Sequence, residues 1–194
     1  VIDRARREMW DDPGAGARLA RLARAGAVAA GLEPEVGPAA DYALAQASVA
    51  AGELQEALAL LDRARTGFAA AGDTWSALRT NLGRTNILNE MGRHDDALAA
   101  SRAIIEALGP ASAPAVDRTE EERTELLAAA EQNSALCHEL MGGFELALAA
   151  YDRAEAGYRR AGEARAGAEV RYDRALLLLN LGRHREALAA LHDV

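Results

Sequence analysis

Apolar positions along this chain recur at helical steps. Between Gly72 and Gly92, Trp75, Leu78, Leu82 and Leu88 follow one stripe, with Thr85 filling the remaining step, which predicts a helix of about five turns. Gly92 suits a left-handed C-cap, and Asp95-Asp96 opens the next helix, where Ala97, Leu98, Ser101, Ile104 and Ile105 recur at three- and four-residue steps. A helix pair of this kind cannot bury its apolar face alone, so neighbouring pairs must stack to make a continuous core.

One phrase recurs along the chain: AGELQEALALL (51–61), MGRHDDALAAS (91–101), MGGFELALAAY (141–151) and LGRHREALAAL (181–191). It places turn glycines at Gly52, Gly92, Gly142 and Gly182, with spacings of 40, 50 and 40 residues. A larger unit repeats at an offset of 90, so that LDRARTGFAAAGD (61–73) matches YDRAEAGYRRAGE (151–163). Ala57, Ala97, Ala147 and Ala187 sit five residues after each glycine, where a large side chain would hold the paired helices apart. Asp12-Pro13 reads as N-cap and first position of a helix over roughly 14–30, and Gly37-Pro38 reads as the opening of another. The longer spacing comes from an insert at 109–119, rich in Pro, Ala and Ser, which reads as an exposed loop ending in the capping box Thr119-x-x-Glu122. The organisation expected is an N-terminal helical segment (1–37) followed by four helix pairs (38–194), all-α and without strands.

Composition narrows the function. The chain has 194 residues, enough to bury a core without metals or disulfides. Its net charge of −8 argues against nucleic acid as a partner, since neutralising phosphates needs a clustered excess of basic residues. It contains no lysine; all 22 basic residues are arginine, which with the abundance of alanine suggests a high-GC bacterial gene. A single cysteine, Cys137, forbids an internal disulfide and fits the cytoplasm. No stretch approaches a membrane span, and VIDRARREMW has no signal-peptide core. Opening on Val1 and stopping at Val194 within a helical pattern suggests a piece of a longer protein.

Over residues 38–194 the repeat resembles the tetratricopeptide (TPR) family. Aligned on the turn glycines, Ala45, Thr85, Ala135 and Ala175 take the small position of the first helix, and Ser48, Leu88, His138 and Leu178 its usual aromatic position. The chain departs from the family in its period, 40 rather than 34, and in having Arg84 and Arg174 where the family has Leu. The resemblance implies a right-handed α–α superhelix that binds a protein or peptide on a concave face lined by the first helix of each pair. Carried over by position, that face comprises Arg79, Asn86, Asn89, Gln132, Asn133, Glu139, Tyr172 and Asn180. A Lys- and Asn-rich carboxylate clamp is not matched, since only Asn86 and Asn133 fall near its positions. ALRTNLGRTNILNEMGRHDDAL and AEVRYDRALLLLNLGRHREAL are also similar to the repeats preceding the CHAT peptidase domain, and to the arrays of multidomain bacterial transcription regulators. That likeness implies an alternative, a module regulating in cis a protease-like or DNA-binding domain. A self-associating structural array, stacking through the end after Val194, is the other.

Catalytic chemistry finds little support. Cys137 and His138 are neighbours on a helix and point about 100° apart, so they do not form a nucleophile–base pair. His94 and His184 recur at turns, where repeat geometry separates rather than converges them, and no metal site is expected. Glu120, Glu121, Glu122 and Glu125 either complement a helix dipole or form an acidic docking patch. No phosphate-binding glycine loop occurs, and no cofactor is expected. Arg84 and Arg174, equivalent positions on apolar helices, need either a carboxylate on a neighbouring helix or an anion in the groove.

Overall fold

The computed structural model describes residues 13–109 and 118–192. Among these the chain forms nine helices and no strand: α1 (Pro13–Ala29), α2 (Glu33–Ala50), α3 (Leu54–Ala70), α4 (Thr74–Glu90), α5 (His94–Leu108), α6 (Glu120–Leu140), α7 (Phe144–Ala161), α8 (Ala164–Asn180) and α9 (His184–His192). None is long and apolar enough to cross a membrane.

The turns repeat one device. Gly31, Gly52, Gly72, Gly92, Gly142, Gly162 and Gly182 all have φ between 69° and 78°. At Gly92 the amide donates to the Asn89 carbonyl at 3.0 Å as α4 closes, a left-handed geometry that a Cβ would strain. The recurring phrase marks four of these glycines; Gly31, Gly72 and Gly162 close the helices α1, α3 and α7 between them, whereas α5 ends on Gly109 in an extended conformation (φ −63°).

Two compact units result, Val1–Gly92 and Arg93–Val194. In the first, α1 packs on α2, α2 on α3 and α3 on α4; in the second, α5 through α9 pack in the same consecutive manner. Contacts dominated by sequence neighbours are the mark of stacked helical repeats. The alanines after the turn glycines are at the centre of this packing: Ala57, Ala97 and Ala147 are fully buried and Ala187 nearly so. The second unit's core adds Leu148, Tyr151, Tyr158, Val170, Leu177 and Leu178.

Three local details differ from the expectations. First, α2 starts at Glu33, so the expected start at Gly37-Pro38, and with it the 37/38 boundary, falls inside a helix. Pro34 occupies the first turn, where its missing N–H costs nothing. Pro38 is tolerated one turn later because its ring lies against Gly67 of α3, where a Cβ would come within 2.5 Å of Pro38 Cγ. Second, the buried face of α4 is partly polar: Thr80, Asn81 and Thr85 are buried, whereas Leu78 and Leu82 are only half-buried. Thr80 and Thr85 donate to the carbonyls of Ser76 (2.7 Å) and Asn81 (2.9 Å), which removes most of the desolvation cost. Third, the helix after Gly92 begins at His94, one residue before the Asp95-Asp96 pair.

The capping box is formed as read. Thr119 Oγ1 accepts from the Glu122 amide at 3.2 Å, and Glu122 Oε2 accepts from the Thr119 amide at 3.0 Å. Asp12, the expected cap of α1, and residues 110–117 of the insert lie outside the described residues.

Candidate functional site

The 90-residue duplication reappears as a frame of ion pairs. Arg84 Nε on α4 lies 2.7 Å from Asp62 Oδ1 on α3, and Arg174 Nε on α8 lies 2.7 Å from Asp152 Oδ1 on α7. Neither contact has hydrogen-bond alignment, and all four side chains keep some exposure, so each pair contributes about 0–1 kcal/mol. A second set sits deeper. Asp41, only 5% exposed, accepts from Arg24 Nη1 (2.8 Å) on α1 and from Arg63 Nε (3.1 Å) and Nη2 (3.2 Å) on α3. At the equivalent position, Glu131 on α6 is 7% exposed and ion-paired with Arg153 on α7 at 2.9 Å. Arg84 and Arg174 are thus occupied by carboxylates of the preceding helix.

Each of these ion pairs joins consecutive helices, and in each unit a groove lies between alternate ones. In the first, α2 and α4 flank a groove of about 520 Å³, lined by Tyr42, Gln46, Val49, Leu82, Asn86 and Glu90 among others. The half-exposure of Leu82 and the 41% exposure of Val49 give it apolar walls. In the second, α6 and α8 flank a groove of about 470 Å³ lined by Gln132, Arg165, Glu169, Tyr172 and Asp173. One turn further along these helices, at the positions equivalent to Gln46 and Asn86, stand Leu136 and Leu176, 38% and 41% exposed.

The residues expected to bind are distributed unevenly. Asn86 lines the first groove, and Gln132 and Tyr172 line the second together. Arg79, Asn89, Asn133 and Asn180 line neither; Arg79 and Asn180 are simply exposed. Glu139 is engaged internally, accepting from Tyr151 Oη at 3.0 Å. Gln132 is fixed in place: its Oε1 accepts from Tyr158 Oη at 3.2 Å, and its Nε2 donates to Asp173 Oδ2 at 3.4 Å. Burial, followed by the charges of Glu125, Glu169 and Glu163, pushes the Tyr158 phenol up to about 12, so it remains a donor at neutral pH. Burial also raises the Asp173 carboxyl, against the opposing effect of the Gln132 hydrogen bond.

Sequence reasoning missed Tyr42, Gln46, Val49, Leu82 and Glu90 in one groove, and Arg165, Glu169 and Asp173 in the other. The signal was present in the duplication: positions 46/136 and 86/176 fall on the same faces in both copies yet change from amide to leucine. Cys137 is a buried thiol, while the neighbouring His138 is partly exposed and has its pKa lowered by burial and then by Arg102 and Arg153. Among the described residues no group of His, Cys, Asp or Glu is arranged to hold a metal ion.

No protein-family model matches the chain, and no curated protein does.

Proposed function

We propose that this chain is a non-catalytic binding module built of tetratricopeptide-like helix pairs that wind to the right within each unit, and that its grooves hold a protein or peptide. The observation that carries this reading is the pair of preformed grooves, each walled by alternate helices and each mixing exposed apolar residues with amide or charged groups. Peptides are held by such surfaces because amides satisfy backbone polar groups while apolar walls take side chains. The frame of Asp41–Arg63, Asp62–Arg84 and their copies sets the walls before a partner arrives, so little ordering accompanies binding. A reducing cytoplasm is the setting that suits the single thiol Cys137.

Selection of peptides from a random display library on the full chain tests the proposal. Retained peptides are expected to lose binding on Asn86→Arg or Leu176→Arg, and to keep it on Leu191→Arg, an exposed position on α9 outside both grooves. Peptides that bind all three variants equally would sink the groove assignment.

A further inference from the structure

The two copies of the 90-residue duplication part company around the α6–α8 groove. Tyr151 and Tyr158 of α7 stand where the first copy has Leu61 and Phe68, and each phenol reaches a polar group on α6. Tyr151 Oη donates to Glu139 Oε2 at 3.0 Å, and Tyr158 Oη donates to Gln132 Oε1 at 3.2 Å. Gln132 extends the network to α8, its Nε2 donating to Asp173 Oδ2 at 3.4 Å. In the first copy Gln132, Glu139 and Asp173 are Tyr42, Val49 and Gly83, so the two carboxylates and the side chains that fix them belong to the second copy alone.

These carboxylates are held but not neutralised. Among the described residues the donors that reach them, Gln132 to Asp173 and Tyr151 to Glu139, are uncharged. The arginine of the groove wall, Arg165, is paired with Glu169 at 2.9 Å. A carboxylate has about four acceptor sites, so Asp173 and Glu139 each keep capacity for a further donor. Burial, aided by the Glu169 charge against the Gln132 hydrogen bond, raises the Asp173 carboxyl, a cost that a bound cation offsets. Burial, then the charge and hydrogen bond of Glu139 and the charge of Asp173, raises the Tyr151 phenol, so both carboxylates act on one neighbourhood. Apolar wall lies between them. Gln132, Leu136 and Glu139 follow one face of α6, and Glu139 stands two turns, about 10 Å, beyond the level at which Gln132 meets Asp173. Leu136 and Leu176, 38% and 41% exposed, occupy the turn between, and Tyr172 beside Asp173 is exposed as well.

We propose that the α6–α8 groove takes a basic segment of another protein, with lysine or arginine side chains at Asp173 and Glu139 and apolar side chains against Leu136 and Leu176. In an extended chain rising about 3.1 Å per residue, basic residues three apart span the two carboxylates and point the same way. The inference rests on the reading of this groove as a peptide site and names what the site selects. A second copy of the chain suits it poorly, since the net charge is −8 and like-charged molecules repel.

Fluorescence anisotropy of the full chain with a fluorescein-labelled peptide repeating Lys-Leu-Ser tests the proposal, the Gln-Leu-Ser repeat serving as control. The lysine peptide should bind the more tightly, weaken as salt rises, and lose about three- to tenfold in affinity on each of Asp173→Asn and Glu139→Gln. Both variants keep an oxygen to accept from Gln132 or Tyr151, so the internal hydrogen bonds survive, and circular dichroism on each checks the fold. Asp95→Asn, which removes the same charge from an exposed position on α5, should change nothing. An equal loss on Asp95→Asn overturns the proposal, because attraction to the net charge then accounts for the binding. Equal binding of the two peptides overturns it as well. If that binding is lost on Leu176→Arg, the groove holds peptides without selecting charge and the broader reading stands; if it persists, both fall. A chain that dimerises without peptide and becomes monomeric on Leu176→Arg overturns the proposal by assigning the groove to a second copy.

Discussion

Gly157 on α7 makes a close helix–helix approach in the second unit open to a direct test. A Cβ placed there would lie 2.7 Å from Ala128 Cβ on α6, with the Ala128 Cα at 3.4 Å and its backbone nitrogen at 3.8 Å. Ordinary contact begins at 3.4 Å, so Gly157→Ala forces the helices apart by about 0.7 Å at this point. Ala128 is 1% exposed and has no rotamer with which to yield. Overpacking of this kind costs about 1–3 kcal/mol, against which alanine restores about 0.5–1 kcal/mol of helix propensity. The expected net loss is about 1–2 kcal/mol, which lowers a urea midpoint by about 0.5–1 M. Gly26→Ala is the control: it also lies within a helix but meets nothing within 4 Å, so it should gain about 0.5–1 kcal/mol. Both are read by far-UV circular dichroism in urea. A Gly157→Ala protein as stable as the parent would show that the spacing of α6 and α7 does not depend on this glycine, and the same result at Gly67, against Pro38, would extend that refutation to the first unit.

Asp41→Ala should destabilise the first unit by about 1.5–3 kcal/mol, because three charge-assisted hydrogen bonds end on this buried carboxylate. Arg93→Ala, which breaks the exposed pair with Asp96, should cost less than about 1 kcal/mol in the same urea titration. Thr119→Ala removes the capping box of α6 and should cost about 1 kcal/mol, and Thr119→Ser should recover most of it. The folded pKa of His138 is below its unfolded value, through burial and the charges of Arg102 and Arg153. The folded state therefore binds fewer protons there, and stability present above the unfolded pKa near 6.5 declines as pH falls through it. His138→Gln should flatten that decline between neutral and mildly acidic pH, as followed by thermal unfolding; an unchanged slope would refute the assignment.

The helices and most of their turns are legible in the sequence because the apolar steps and the recurring glycines are local signals. The capping box is likewise written in four consecutive residues, Thr119 to Glu122. What was not legible depends on neighbours. Pro38 reads as a helix start until Gly67 makes room for its ring. Leu82 reads as core, yet it turns towards the groove, while the hydroxyl of Thr80, which is not on the apolar stripe, is buried on the Ser76 carbonyl. The groove residues were placed by family position, which finds Asn86, Gln132 and Tyr172 but also selects Asn89 and Asn133, which line neither groove. Longer helices with a 40-residue period change which turn of each helix meets the open space. The Asp41–Arg63 and Glu131–Arg153 pairs carry no local signature; only the 90-residue offset relates them.

That offset separates two burdens usually carried by the same residues. Asp62, Arg63 and Arg84 reappear as Asp152, Arg153 and Arg174, whereas groove positions Gln46, Val49, Asn86 and Glu90 become Leu136, Glu139, Leu176 and Asn180. Charge is kept where helices are held together, Asp41 becoming Glu131, and chemistry changes at the groove positions. The groove surface of such a chain can therefore drift without approaching the threshold of unfolding, since the mutations that change its chemistry are not those that loosen the frame.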